Sequence, residues 1–184
     1  MTRTRICVYN NQHRTDARAT RARPGLQARS KTMTDISDIS KLTASMTPEQ
    51  RVRFAILCAR QVYTEPDWTR WANAWLDGTD RTYESADAAY NVAHADAEQQ
   101  PDYNSIGAWS ARTNRAAAAH CASLSAERLA ASANGTPYSN TPWAAGAAKG
   151  DAAETRWTCC AAVGYAADAD STLDLVALVN AACS

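Results

Sequence analysis

Apolar residues first recur at helical spacing between positions 47 and 63. Thr47 is an N-cap residue, Pro48 suits the first helical position and Gln50 completes a T-x-x-Q capping box, so a helix is expected from Thr47 to about Tyr63. Phe54, Leu57, Cys58, Gln61 and Val62 define its inward face. Glu65 and Pro66 restart the chain. Trp68, Trp71 and Trp75 then fall at i, i+3 and i+7, a one-sided tryptophan stripe closed by Gly78. A third helix is expected over 85–99, with Ala86, Ala89, Tyr90, Ala93 and Ala97 inside and Pro101 as its stop. The longest spans 104–133, with Ile106, Trp109, Thr113, Ala116, Ala117, His120, Cys121 and Leu124 along one face. Asn134-Gly135-Thr136-Pro137 ends it, and Thr141-Pro142-Trp143 reads as the start of a short helix interrupted by Gly146 and Gly150. Residues 151–168 form the next helix, with Ala153, Trp157, Cys160, Ala161 and Gly164 inward. Ser171 with Asp174 reads as a last capping box, after which Leu173, Val176, Ala177 and Val179 drive a helix to about Ala182.

The fold class that follows is all-α: an alanine-rich bundle of six to seven helices over 47–184, behind an arm over 1–46 that is expected to be disordered or an over-called start. Within 34–45 a soft repeat, Asp35-Ile36-Ser37 and Asp38-Ile39-Ser40, suits a short helical turn formed on docking. Met33 and Met46 are alternative starts. Alanine supplies 40 of the 184 residues, most of them after Ala55; it is the best helix former and lets helices approach closely. Ile, Leu, Val and Phe together supply only 22, so the core is expected to be thin and anchored by Trp and Tyr. Trp71, Trp109 and Trp143 each precede an alanine run at intervals of 38 and 34 residues, too unequal for a named solenoid.

Charge divides the chain. The formal net charge is zero, but residues 1–32 hold eight basic groups against Asp16, and the rest carries the balancing excess of acid. The arm would meet nucleic acid or an acidic partner if it is functional, and a transit-like leader is the blander reading. The six cysteines (Cys7, Cys58, Cys121, Cys159, Cys160, Cys183) show neither C-x-x-C nor metal-ligand spacing, so buried reduced thiols are expected. The adjacent pair Cys159-Cys160 would be redox-active only through a strained local bridge. There is no secretory h-region and no apolar run of membrane-spanning length, which favours a cytoplasmic location and no membrane partner.

Catalytic signatures are absent: no G-x-G-x-x-G, Walker loop, G-x-S-x-G or H-E-x-x-H occurs. His94 and His120 would make a metal site with Asp96 or Asp168, but their spacing matches no Glu-x-x-His motif. A hydrogen-bonded interior histidine is the simpler expectation. His120 and Cys121, as neighbours on a helix, point about 100° apart and do not form a nucleophile–base pair. Asp77 and Asp80 flank Gly78, and Asp168 and Asp170 flank a helix end, positions where aspartate caps and turns. No catalytic residue, cofactor or metal is assigned on these grounds.

Three segments carry a resemblance. They are Arg53-Phe54-Ala55-Ile56-Leu57-Cys58-Ala59-Arg60, Trp71-Ala72-Asn73-Ala74-Trp75-Leu76-Asp77-Gly78 and Ala86-Asp87-Ala88-Ala89-Tyr90-Asn91-Val92-Ala93-His94-Ala95. Together they resemble an all-helical, alanine-rich family of immunity proteins from bacterial polymorphic toxin systems, with phage and actinobacterial relatives. The resemblance extends over about 50–169, with the long polar insertion 135–150 and the basic arm as departures. It implies binding and neutralising a toxin, with no catalytic residues. The acidic body suits a basic protein partner such as a nuclease toxin. Asp77, Asp80, Arg81, Glu84, Asp87, His94, Asp96, Glu98 and Asp102 are the expected partner-binding residues. The Trp68/Trp71/Trp75 stripe is either core or an interface hot spot flanked by Arg70 and Arg81. Competing readings are a phage-encoded counter-defence or host-takeover factor, a metal-dependent enzyme using His94 and His120, and nucleic-acid binding confined to residues 1–32.

Overall fold

A computed structural model describes residues 36–103, 110–133 and 151–184, of which the side chains of 36–38, 151–155 and 157 are excluded. The basic arm, Cys7, Ile106, Trp109, the expected short helix at Trp143 and the side chain of Trp157 lie outside the described residues.

Seven helices and no strand occur among the described residues: α1 (Ile36–Leu42), α2 (Pro48–Val62), α3 (Pro66–Asp77), α4 (Tyr83–Glu98), α5 (Ala111–Ala133), α6 (Asp151–Ala169) and α7 (Leu175–Cys183). The all-α bundle is therefore observed. Helices α2, α5 and α6 pack mutually and form the centre. Around them α4 lies on α5, α3 spans α2 and α4, α1 lies on α6 and α7 on α2.

Local chemistry sets the helix ends as expected in most places. Thr47 and Gln50 form a complete capping box, with Gln50 N donating to Thr47 Oγ1 (3.2 Å) and Thr47 N to Gln50 Oε1 (2.9 Å). Helix α2 stops at Tyr63, extended at φ −119°, because the following Glu65-Pro66 step disfavours helical backbone. The Glu65 carboxylate then caps α3 by accepting from Trp68 N at 2.7 Å. Gly78 ends α3 in the left-handed region at φ 77°, where a β-carbon would be strained.

The tryptophan stripe is core. Trp68, Trp71 and Trp75 are all buried, and Trp68 Nε1 donates to Ser123 Oγ on α5 at 3.0 Å. Arg81 packs on the end of the stripe. Its guanidinium lies 4.6 Å from the centre of the Trp75 ring, its Nε donates to Trp75 O and it pairs with Glu49 on α2. Arg70 stays at the surface, paired with Asp67.

Alanine makes the close contacts. Ala86, Ala89, Ala93 and Ala97 are the buried stripe of α4. Helix α5 is buried over most of its surface, from Thr113 and Asn114 through Ala116, Ala117, Ala118 and Ala119 to Ala126 and Glu127, with Arg112 and Arg115 left exposed. Two serines within this centre are bonded: Ser123 Oγ donates to Ala119 O at 2.6 Å and Ser125 Oγ to Thr158 Oγ1 on α6 at 2.6 Å.

Four expectations are corrected. First, the body begins well before Thr47. Ile39 and Thr43 are fully buried and Met46 nearly so. Arg51 Nε donates to Thr43 O at 3.1 Å and Arg156 Nη2 to Ser40 O at 3.0 Å, so the boundary at 46 cuts through packed structure. Second, Gln61 is exposed while Val52, Ala55 and Ile56 are buried, because α2 is covered on several sides rather than one. Third, the long helix does not run unbroken from 104. Ser110 is non-helical and caps α5, its Oγ accepting from Thr113 N at 3.3 Å. Fourth, Ser171 forms no capping box. Asp174 is the cap, accepting from Ala177 N at 3.0 Å. That start turns Leu175 and Ala182 inward and leaves Val176 56% exposed.

Two outcomes test this packing. A chain starting at Thr47 should be less stable than one starting at Thr32 by about 2 kcal/mol or more in chemical denaturation, since it loses the burial of Ile39 and removes the acceptors of Arg51 and Arg156. Replacing fully buried Ala118 or Ala119 by Leu should cost about 1–3 kcal/mol, whereas Ala111→Leu at the exposed start of α5 should be nearly neutral.

Candidate functional site

The alanine stripe of α4 against α5 brings two histidines together. His94 lies on α4 and His120 on α5, with ring centres 4.9 Å apart and planes at 88°. Larger side chains along Ala89, Ala93 and Ala116 would hold these helices apart and separate the rings. Two tyrosines frame the pair. Tyr90, one turn before His94, stacks on it at 5.6 Å and meets His120 edge-on at 4.5 Å. Tyr103, just beyond α4, meets His94 edge-on at 6.2 Å.

The two imidazoles have different environments. His120 is buried, and burial first, then His94 and the Arg128 cation, push its pKa down to about 3. It is therefore neutral across the physiological range. His94 is half-buried; its Nε2 lies 3.4 Å from Glu98 Oε1, one turn along α4. Its Nδ1 is buried and has no hydrogen-bond partner.

The remaining expected site residues are mostly engaged in local structure. Asp80 accepts from Thr82 N and from the Thr82 and Ser85 hydroxyls at the start of α4, and these bonds hold its carboxyl below the ordinary range. Asp102 accepts from the Thr113 hydroxyl and the Ser110 backbone, which likewise lower it, and so ties the end of α4 to the start of α5. Asp96 accepts from Gln100 Nε2 (3.2 Å), and with Glu65 and burial it helps push the Tyr63 phenol up, burial being the largest cause. Asp87 accepts from Asn91 Nδ2 at 3.2 Å. Asp77 and Glu84 are exposed.

Cysteine chemistry is quiet. Cys58, Cys159 and Cys160 are buried free thiols, and burial pushes the thiols of Cys58 and Cys159 up, away from the reactive thiolate. The adjacent Cys159 and Cys160 form no bridge with each other. Among the described residues no group of three or more His, Cys, Asp and Glu is placed to hold a metal ion. Asp168, considered with the histidines on sequence grounds, is exposed on α6. No helix among the described residues is long and apolar enough to cross a membrane.

Tyr90 and Tyr103 as the walls of the histidine pair were not identified from the sequence. Tyr90 was legible only as an inward residue of its helix, and nothing in the spacing connects Tyr103 to either histidine. Comparison with known proteins adds no assignment: no protein family, curated protein or solved structure matches the chain.

The depressed pKa of His120 makes stability depend on pH. The unfolded chain takes up a proton on this ring near pH 6.5 that the folded chain refuses until about pH 3. The contribution is thus fully present above pH 6.5 and is lost as pH falls through that window, at up to about 1.4 kcal/mol per pH unit. His120→Gln should flatten the slope of unfolding free energy between pH 6.5 and 4 relative to the native chain. Identical slopes would show that the ring does not carry it.

Proposed function

We propose that the chain is a non-enzymatic binding protein of immunity type, which neutralises a basic toxin by covering it directly. The observation that supports this reading is the surface charge along the end of α3 and along α4. Asp77, Glu84 and Glu98 are exposed and Asp87 is half-exposed. The basic residue in that stretch, Arg81, already pairs with Glu49 and stacks on Trp75, so it does little to offset the negative surface for an incoming partner. A rigid acidic helix face accelerates encounter with a cationic protein and disfavours anionic ones. The segments resembling immunity proteins lie on α2, α3 and α4, so the same helices carry the resemblance and the charge.

Co-expression of the chain with toxic proteins encoded beside its gene should restore growth for one of them. Binding to that toxin should weaken steeply with salt. The triple variant Asp77→Lys, Glu84→Lys, Asp87→Lys should lower affinity roughly tenfold or more and flatten the salt dependence. Unchanged affinity and salt dependence would remove the electrostatic recognition. Failure to protect against any neighbouring gene product, with a phage-directed defence protein bound instead, would replace immunity by the counter-defence role.

A further inference from the structure

We propose that His94 and His120 form a seat for a borderline divalent metal ion of the zinc type, with Nδ1 of His94 and a ring nitrogen of His120 as ligands and water completing the shell. Two imidazoles on one tetrahedral zinc, each nitrogen about 2.1 Å from the ion, set their ring centres roughly 5 Å apart. The observed separation is 4.9 Å. Nδ1 of His94 is buried and lacks any hydrogen-bond partner, a position in which a lone pair facing no donor is costly and a metal would satisfy it. The other nitrogen of the same ring faces the Glu98 carboxylate at 3.4 Å. A carboxylate so placed would take up the N–H of a metal-bound imidazole after a small side-chain adjustment and leave the opposite nitrogen deprotonated.

Tyr90 lies against both rings and Tyr103 against His94, which restricts their rotation and lowers the entropy lost on binding. Only two protein ligands are available among these residues, so the shell keeps open positions and the affinity is lower than that of a closed four-ligand site. The seat does not depend on the toxin-binding role.

The test is titration of the full chain, thiols reduced, with cobalt(II) chloride and then zinc chloride, followed by visible spectroscopy and calorimetry. The native chain should take up one ion with a nitrogen- and oxygen-type cobalt spectrum that zinc displaces. His94→Ala and His120→Leu should each abolish that uptake, and Glu98→Gln should weaken it about tenfold while leaving both ligands in place. Circular dichroism identifies variants that fold; His94 is half-buried, so its variant supports the test should His120→Leu fail. No uptake by the native chain, a thiolate-to-cobalt band in place of the nitrogen-type spectrum, or uptake unchanged in His94→Ala would overturn the assignment.

Discussion

Close approach of α5 to α2, α4 and α6 is the constraint on which the other contacts depend. Where α5 meets these neighbours it presents mainly alanine, serine and threonine, while Arg112 and Arg115 stand exposed near its start. The bulk that fills the remaining space comes from outside α5: Trp68 and Trp75 from α3, Phe54 and Ile56 from α2, Val163 from α6. Large anchors on the surrounding helices against a smooth central one give a packed interior despite the scarcity of Leu, Ile, Val and Phe.

That packing brings polar groups into the centre, and the structure answers most of them with short bonds between or along helices. Ser123 accepts from the Trp68 indole and donates to its own helix, while Ser125 and Thr158 link α5 to α6. Each bond adds only about 1 kcal/mol net, but an unmatched hydroxyl there would cost more than the bond contributes. The same low-dielectric setting keeps His120 neutral. Burial of the polar residue and the direction of its titration are one effect.

The acidic residues divide into two sets. Asp80, Asp102, Asp170 and Asp174 accept bonds at helix ends and turns, so much of the negative charge serves the architecture. Asp77, Glu84 and Glu98 remain exposed on α3 and α4. The proposed protein-binding face and the proposed metal seat share α4, which carries acid outward and Tyr90 and His94 against α5. A metal bound there would stiffen the helix that faces the partner, with no requirement that it take part in the contact.

Helix identity, the capping box at Thr47, the stop at Gly78 and the alanine stripe of α4 were all legible in the chain, because each depends on residues within about two turns of one another. The start of α7 was misread for a related reason: Ser171 and Asp174 have capping-box spacing, and local spacing cannot tell which of two caps the chain uses. The short α1 helix was anticipated from the Asp-Ile-Ser repeat, but the body was begun at 47 because 36–46 looks polar until α6 supplies Arg156 and α2 supplies Arg51 as partners. Tertiary structure alone decided that the tryptophan stripe faces inward, that α5 is buried over most of its surface, and that His94 and His120 meet. Those outcomes depend on which helices lie side by side, a property of the whole packing that no short-range pattern records.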